Sequence, residues 1–203
     1  MADKLRDIRS IAPDPTALKA LAHPVRLRML GMLRVDGPAT ASGLAAQLGL
    51  NSGATSYHLR QLALHGFIEE DRERGSGRDR WWRASHETTN VMSDGAEGEA
   101  LDAGVAFLQA ALSWQMQQMQ GALNAYTRLE PDWRKASTAS DYTIPLTAEG
   151  AAELVGKLHS LLSEAMAAAP ALGTTLPPDM RPFSIILNAA PRTTENPARD
   201  DQQ

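Results

Sequence analysis

The sequence predicts a mainly α-helical chain with a small β component: a helical N-terminal domain carrying a β-hairpin, one long helix, and a small C-terminal α/β unit. Three observations predict it. Apolar residues recur at helical spacing along most of the chain, as in Leu18, Leu21, Ala22, Val25, Met29, Leu30, Leu33 and again in Leu101, Val105, Leu108, Leu112. The period changes over "FIEEDRERGSGRDRWWRAS", where Gly75-Ser76-Gly77 separates two strand-like runs. Near the C-terminus "DYTIPLT" and "RPFSIILNAA" read as strands on either side of an amphipathic helix.

Residues 1–13 read as a flexible arm, and 14–85 as one domain. Its first helix begins at Asp14, a capping residue, with Pro15 in the first turn. Pro24 removes a backbone donor and disfavours helix at His23, so a kink or break is expected there. Asp36-Gly37-Pro38 ends the helix. "TASGLAAQLGL" is a short helix capped by Thr40 or Ser42, with Leu44, Ala45 and Leu48 inward and Gly49 closing it. "NSGATSYHLRQLALHGFI" follows, capped by Asn51 or Ser52, with Thr55, Leu59 and Leu62 on its inward side. Two short helices around a turn at Gly49 match a helix-turn-helix, and a hairpin directly after one is a wing.

Residues 86–99 are polar and read as a linker. From 100 to 130 runs the long helix, whose stripe Leu101, Val105, Leu108, Leu112, Met116, Met119, Leu123 predicts a dimer interface. Phe107 and Trp114 form a second stripe, expected beside the first. With Trp82 and Tyr126 they are the candidate lining of an effector pocket between the helix and the C-terminal unit. Trp81 and Trp82 point to opposite faces of their strand, one of them into the core. Residues 131–190 form the α/β unit, an effector or dimer module, and 191–203 a disordered tail.

Net charge is −4, but residues 1–83 carry 13 Lys and Arg against 9 Asp and Glu, while 84–203 carry 7 against 15. Between Pro15 and Ile68 the only acid is Asp36. Such a chain can turn a positive face to a polyanion. With the inward residues assigned, Ser52, Ser56, Tyr57, Arg60 and Gln61 face outward, a hydrogen-bonding set without an acid. Serine and glutamine read base edges, and an arginine takes a guanine edge or a phosphate. The candidate DNA-binding set is therefore Ser52, Thr55, Ser56, Tyr57, Arg60 and Gln61 of this helix, Arg74, Arg78 and Arg80 of the wing, and Arg26. Lys19 and Arg28 are further phosphate candidates. Thr55 belongs to this set and to the inward side alike. His58, between the faces, reads as a satisfied, partly buried histidine, and His23 as bonded locally.

"ALAHPVRLRMLGML", "GLAAQLGL", "TSYHLRQLALHGFIEE" and "GRDRWWRA" stand in the order and spacing of the ArsR-type winged helix-turn-helix regulators, and residues 15–84 resemble that family. The resemblance implies a dimeric bacterial transcription factor on a partly palindromic operator, usually a repressor released by an inducer. Metal-sensing members often carry cysteines in the helix-turn-helix. This chain has none, and its extension exceeds the family core, so a metal-sensor role does not transfer.

No Gly-rich phosphate loop, HExxH, GxSxG or cysteine nucleophile is present, and no histidine has a ligand-spaced partner. The sequence thus predicts no enzyme, no cofactor and no metal. It predicts a cytoplasmic homodimer that binds double-stranded DNA and a small-molecule effector, away from membranes. The alternative is a protein-interaction module that docks a protein partner through the winged domain and C-terminal unit.

Overall fold

A computed structural model describes residues 5–74, 80–91 and 96–192. The capping chemistry sets the helix starts. Helix α1 spans Pro15–Leu21, with Asp14 in extended backbone accepting from the Ala17 N–H at 2.8 Å. Pro24 breaks the chain outright: α2, Pro24–Val35, is a separate helix whose cap is His23, its Nδ1 accepting from the Val25 N–H at 3.2 Å. A proline costs nothing at this first helical position, where its missing donor would be unpaired anyway. Thr40 caps α3, Ala41–Leu48, and Asn51 caps α4, Ser52–Leu64. Gly49 joins them at φ 67°, a left-handed turn that favours glycine.

The wing is a three-stranded antiparallel sheet. Strand β3, Ile68–Glu70, pairs with β4, Trp81–Ala84, and β4 also pairs with β2, Ala39–Thr40, a strand the sequence pattern did not announce. Trp82 is buried in the core and Trp81 only partly covered, as the alternation requires.

The arm and linker are less free than their composition implies. Strand β1, Ser10–Ile11, pairs in parallel with β5, Thr88–Thr89, so part of each expected loose segment is tied to the other. Arg34 at the end of α2 fastens the pair, donating to the His86 carbonyl at 2.9 Å and to Thr89 Oγ1 at 2.8 Å. Burial pushes its guanidinium down to about 10.

Helix α5, Gly98–Ala125, continues into a 3-10 turn at Tyr126–Arg128. Its two apolar stripes do not lie side by side. At 3.6 residues per turn, Phe107 and Trp114 fall about 140° and 160° around the helix from Leu112. Ala103, Phe107 and Ala110 are buried against the N-terminal domain, and Leu101, Val105, Leu108, Leu112, Met116, Met119 and Leu123 are exposed on the opposite side. The main core joins Leu21, Met29, Leu30, Leu59, Phe67 and Phe107.

The mainly helical class with a small sheet holds, but the C-terminal unit is not α/β. Helices α6, Pro131–Ala136, and α7, Ala148–Ala168, are present, whereas 141–147 and 181–190 have no strand partner among the described residues. Side-chain contacts hold 181–190 instead, while 141–147 is exposed throughout. Phe183 stacks on Trp133 at 6.4 Å, Arg181 pairs with Glu130 at 2.6 Å, and Asn188 donates to Gln115 of α5 at 3.2 Å. A strand needs a neighbouring backbone edge, and Pro145 lacks one donor for it.

Arg6 and Gly37 tie this unit to the N-terminal domain. Arg6 donates its backbone N–H to the Ala167 carbonyl at 3.0 Å and its Nε to that of Ala169 at 2.8 Å, while its guanidinium pairs with Glu87 at 2.6 Å. Gly37, at φ 91°, meets Gly173 backbone to backbone; a Cβ on Gly37 would lie 2.8 Å from the Gly173 carbonyl oxygen.

Candidate nucleic-acid interface

Three inward anchors orient α4. Thr55, Leu59 and Leu62 are 0%, 0% and 1% exposed. That rotation leaves Ser52, Tyr57 and Arg60 open to solvent and Ser56 and Gln61 half-covered. Thr55 leaves the candidate DNA-binding set: its hydroxyl is fully buried and donates to the Asn51 carbonyl at 3.0 Å, so it cannot reach a base.

Ser56 and Arg60 do not stand alone on the surface. With Thr40 and Ser42 at the start of α3, Arg80 just before β4 and Trp82 within it, they line a recess of about 250 Å³. Arg80 stacks over the Trp82 ring at 5.5 Å and pairs with Glu70 at 3.4 Å. Hydroxyls and two guanidiniums thus converge on one notch, the donor chemistry that suits an anionic oxygen. Thr40 and Ser42 are the residues sequence reasoning missed here. Their signal was their place as capping candidates, since helix starts present unpaired N–H groups.

The other basic candidates are less available. Arg74 lies 3.6 Å from the buried carboxylate of Asp71, and Arg83 pairs with Glu69 at 2.9 Å, so these charges are partly spent within the hairpin. Arg78 lies outside the described residues. Arg26 donates its Nε to the Ala20 carbonyl, and burial lowers its pKa. Lys19 pairs with Glu99 at 2.8 Å, and Arg28 sits over Trp114 of α5. Among the described residues Arg60 has no carboxylate partner.

His58 is partly covered, as expected, but not satisfied. Its Nδ1 is buried without a hydrogen-bond partner among the described residues, and its ring lies against those of His23 and Tyr57. Burial, His23 and Arg26 together lower its pKa.

The four effector-pocket candidates do not share a cavity. Trp82 lines the recess beside Arg60, Trp114 lines a second one against α2, Phe107 is in the core, and Tyr126 is exposed beyond the end of α5. Among the described residues no group of three or more His, Asp or Glu could hold a metal, and no helix is long and apolar enough to cross a membrane.

Comparison with known proteins agrees with the geometry. A helix-turn-helix domain family matches residues 21–71, from the end of α1 to the wing. The HTH-type transcriptional regulator YgaV of Escherichia coli (strain K12) is 35% identical over 71 residues, 34% of this chain and 72% of that protein. Among solved structures, reduced HlyU from Vibrio cholerae is 31% identical, with 34% of this chain and 67% of that one covered at a TM-score of 0.30. ZitR of Lactococcus lactis, a mutant in the apo form, is 15% identical over 71% of this chain and 83% of that one, at a TM-score of 0.32. The similarity is to a helix-turn-helix domain and, in YgaV, to a transcriptional regulator. With two short helices joined at Gly49, a wing after them, and 35% identity over 72% of YgaV, the chain belongs to the helix-turn-helix transcriptional regulators.

Proposed function

We propose that this chain is a homodimeric, sequence-specific DNA-binding repressor of the ArsR type that lets go of its operator when a small, non-thiolate effector binds. The observation that carries the DNA reading is the outward face of α4: Tyr57 and Arg60 stand bare beside a notch lined by Ser56, Ser42 and Arg80. In this reading α4 enters the major groove, Ser52, Tyr57 and Gln61 meet base edges, and the notch holds a backbone phosphate. Arg60, on the rim between the two, takes a guanine edge or that phosphate.

Dimerisation follows from α5. Seven large apolar residues on one helix face, between 43% and 70% exposed, form a stripe that water does not favour. A second copy laid on that stripe would set the two α4 helices about one DNA turn apart, ~34 Å, on one side of the duplex. The absence of cysteine excludes a thiolate trigger for release.

The experiment is selection of binding sites from genomic DNA with the purified chain, followed by affinity measurement on the recovered site. A partly palindromic site, with affinity falling steeply in salt, is the expected result. Arg60→Ala is expected to weaken binding by roughly 10- to 100-fold with an unchanged circular-dichroism spectrum. Unchanged affinity would remove α4 as the reading surface. Retention of a protein partner with no DNA recovered would favour the docking-module reading.

A further inference from the structure

We propose that the recess between α2, the α3–α4 turn and α5 is a binding site for a small organic anion with a flat apolar body, the size of a one-ring aromatic carboxylate. Val25, Leu48, Leu50 and Ala110 give the recess its apolar lining, and Arg28, Ser113, Trp114 and Gln117 bring polar groups to it. The Arg28 guanidinium lies 6.0 Å from the centre of the Trp114 ring.

What marks this recess is its surplus of donors. Among the described residues Arg28 has neither a carboxylate partner nor a side-chain hydrogen bond, and the Trp114 indole N–H has no acceptor. Lys19 and Arg34 are each satisfied by their own chain, whereas Arg28, like Arg60, is not, and Arg28 alone of these stands over an aromatic ring at the edge of an apolar recess. An arginine held over an aromatic face, with its donors open, suits a carboxylate whose carbon skeleton lies against the apolar lining. The chemistry selects against cations and against fully polar ligands.

Size narrows the class. The recess measures about 170 Å³. Drug-sized ligands occupy roughly 300–1,000 Å³, whereas an apolar cavity of about 150 Å³ takes a benzene ring. One ring and one acidic group fill this space.

Position gives the site a consequence. Leu48 and Leu50 flank Gly49, whose left-handed φ of 67° sets the angle between α3 and α4. Ala110 and Trp114 belong to the face of α5 opposite the exposed stripe, so a second copy on that stripe leaves the recess open. A ligand here touches the helix-turn-helix and the long helix at once, which is where an effector changes the position of one against the other. The effector role rests on the regulator reading above; the binding site itself does not.

The test uses the full chain without DNA. Benzoate is titrated against the ¹⁵N-labelled protein, and the Trp114 indole resonance is identified by its loss in Trp114→Phe. The expected result is saturable movement of that resonance and of the Leu48 and Leu50 amides, with Kd near or below ~1 mM. Benzamide, which keeps the ring and loses the charge, and the exposed-site variant Arg28→Gln should each weaken binding at least about tenfold. No movement at Trp114, or equal affinity for benzamide or for Arg28→Gln, overturns the site. DNA binding measured separately on the same sample distinguishes that outcome from failure of the regulator reading.

Discussion

The imidazole rings of His23 and His58 stand 4.7 Å apart, tilted by 47°, one at the cap of α2 and the other on the side of α4. His23 must keep its Nδ1 unprotonated to accept the Val25 N–H, and Nδ1 of His58 is buried without a partner. The Arg26 guanidinium and the Tyr57 ring complete the surroundings. A proton on either ring adds a charge beside Arg26, and on His23 it also removes a helix cap.

Stability should therefore depend on pH in a definite direction. Burial, then Arg26, lowers the pKa of His23, and burial, His23 and Arg26 lower that of His58, both from an ordinary 6.5. The folded chain favours the neutral rings, so their contribution is fully present above pH 6.5. It is lost as pH falls below 6.5 toward the depressed folded values, because the unfolded chain takes up the protons first. His86, held down by burial, Arg34 and Arg9, adds to the same slope. Denaturant unfolding at a series of pH values should show the decline. His23→Asn, which keeps a capping side chain, combined with His58→Gln should flatten it more than His86→Gln does. An unchanged slope in the double variant would refute the pair's role.

Thr55 separates stability from recognition. Thr55→Val removes the hydroxyl that donates to the Asn51 carbonyl at 3.0 Å while keeping its volume. The expected loss is about 1 kcal/mol of unfolding free energy, with no change in operator affinity per folded molecule. A selective loss of affinity would return Thr55 to the reading set.

The exposed stripe of α5 makes an assembly prediction. Leu112 and Met119 are 46% and 59% exposed in the single chain, so Leu112→Glu with Met119→Glu should leave the fold intact. Sedimentation equilibrium is expected to give a monomer, with operator affinity lost in parallel. A persisting tight dimer would move the interface away from this face.

The contact between Gly37 and Gly173 tests the joint to the C-terminal unit. Gly37→Ala places a methyl 2.8 Å from a carbonyl oxygen and strains a φ of 91°. It should cost at least about 1 kcal/mol and raise the rate of proteolysis around residues 169–173. Equal proteolysis of wild type and variant would show that the joint does not restrain the unit.

The N-terminal domain was legible, apart from strand β2, because its helices and its hairpin announce themselves locally. Asp14, Thr40 and Asn51 are caps, Pro24 is a break, Gly49 is a left-handed turn, and Leu59 and Leu62 keep the period of a buried stripe. These are interactions within a few residues, which chain order encodes directly. The candidate DNA-reading face followed from them by geometry, apart from Thr55, which one rotation of the helix cannot both bury and expose. Tertiary structure decided what depends on distant partners. Pairing of Ser10–Ile11 with Thr88–Thr89, the lack of a strand partner for 141–147 and 181–190 among the described residues, and the spending of Arg34, Arg74 and Lys19 on contacts within the chain all require knowing which backbone edge or carboxylate is nearby. Periodicity fixes which residues share a helix face, and packing alone decides which of the two apolar faces of α5 meets the domain and which is left for another surface.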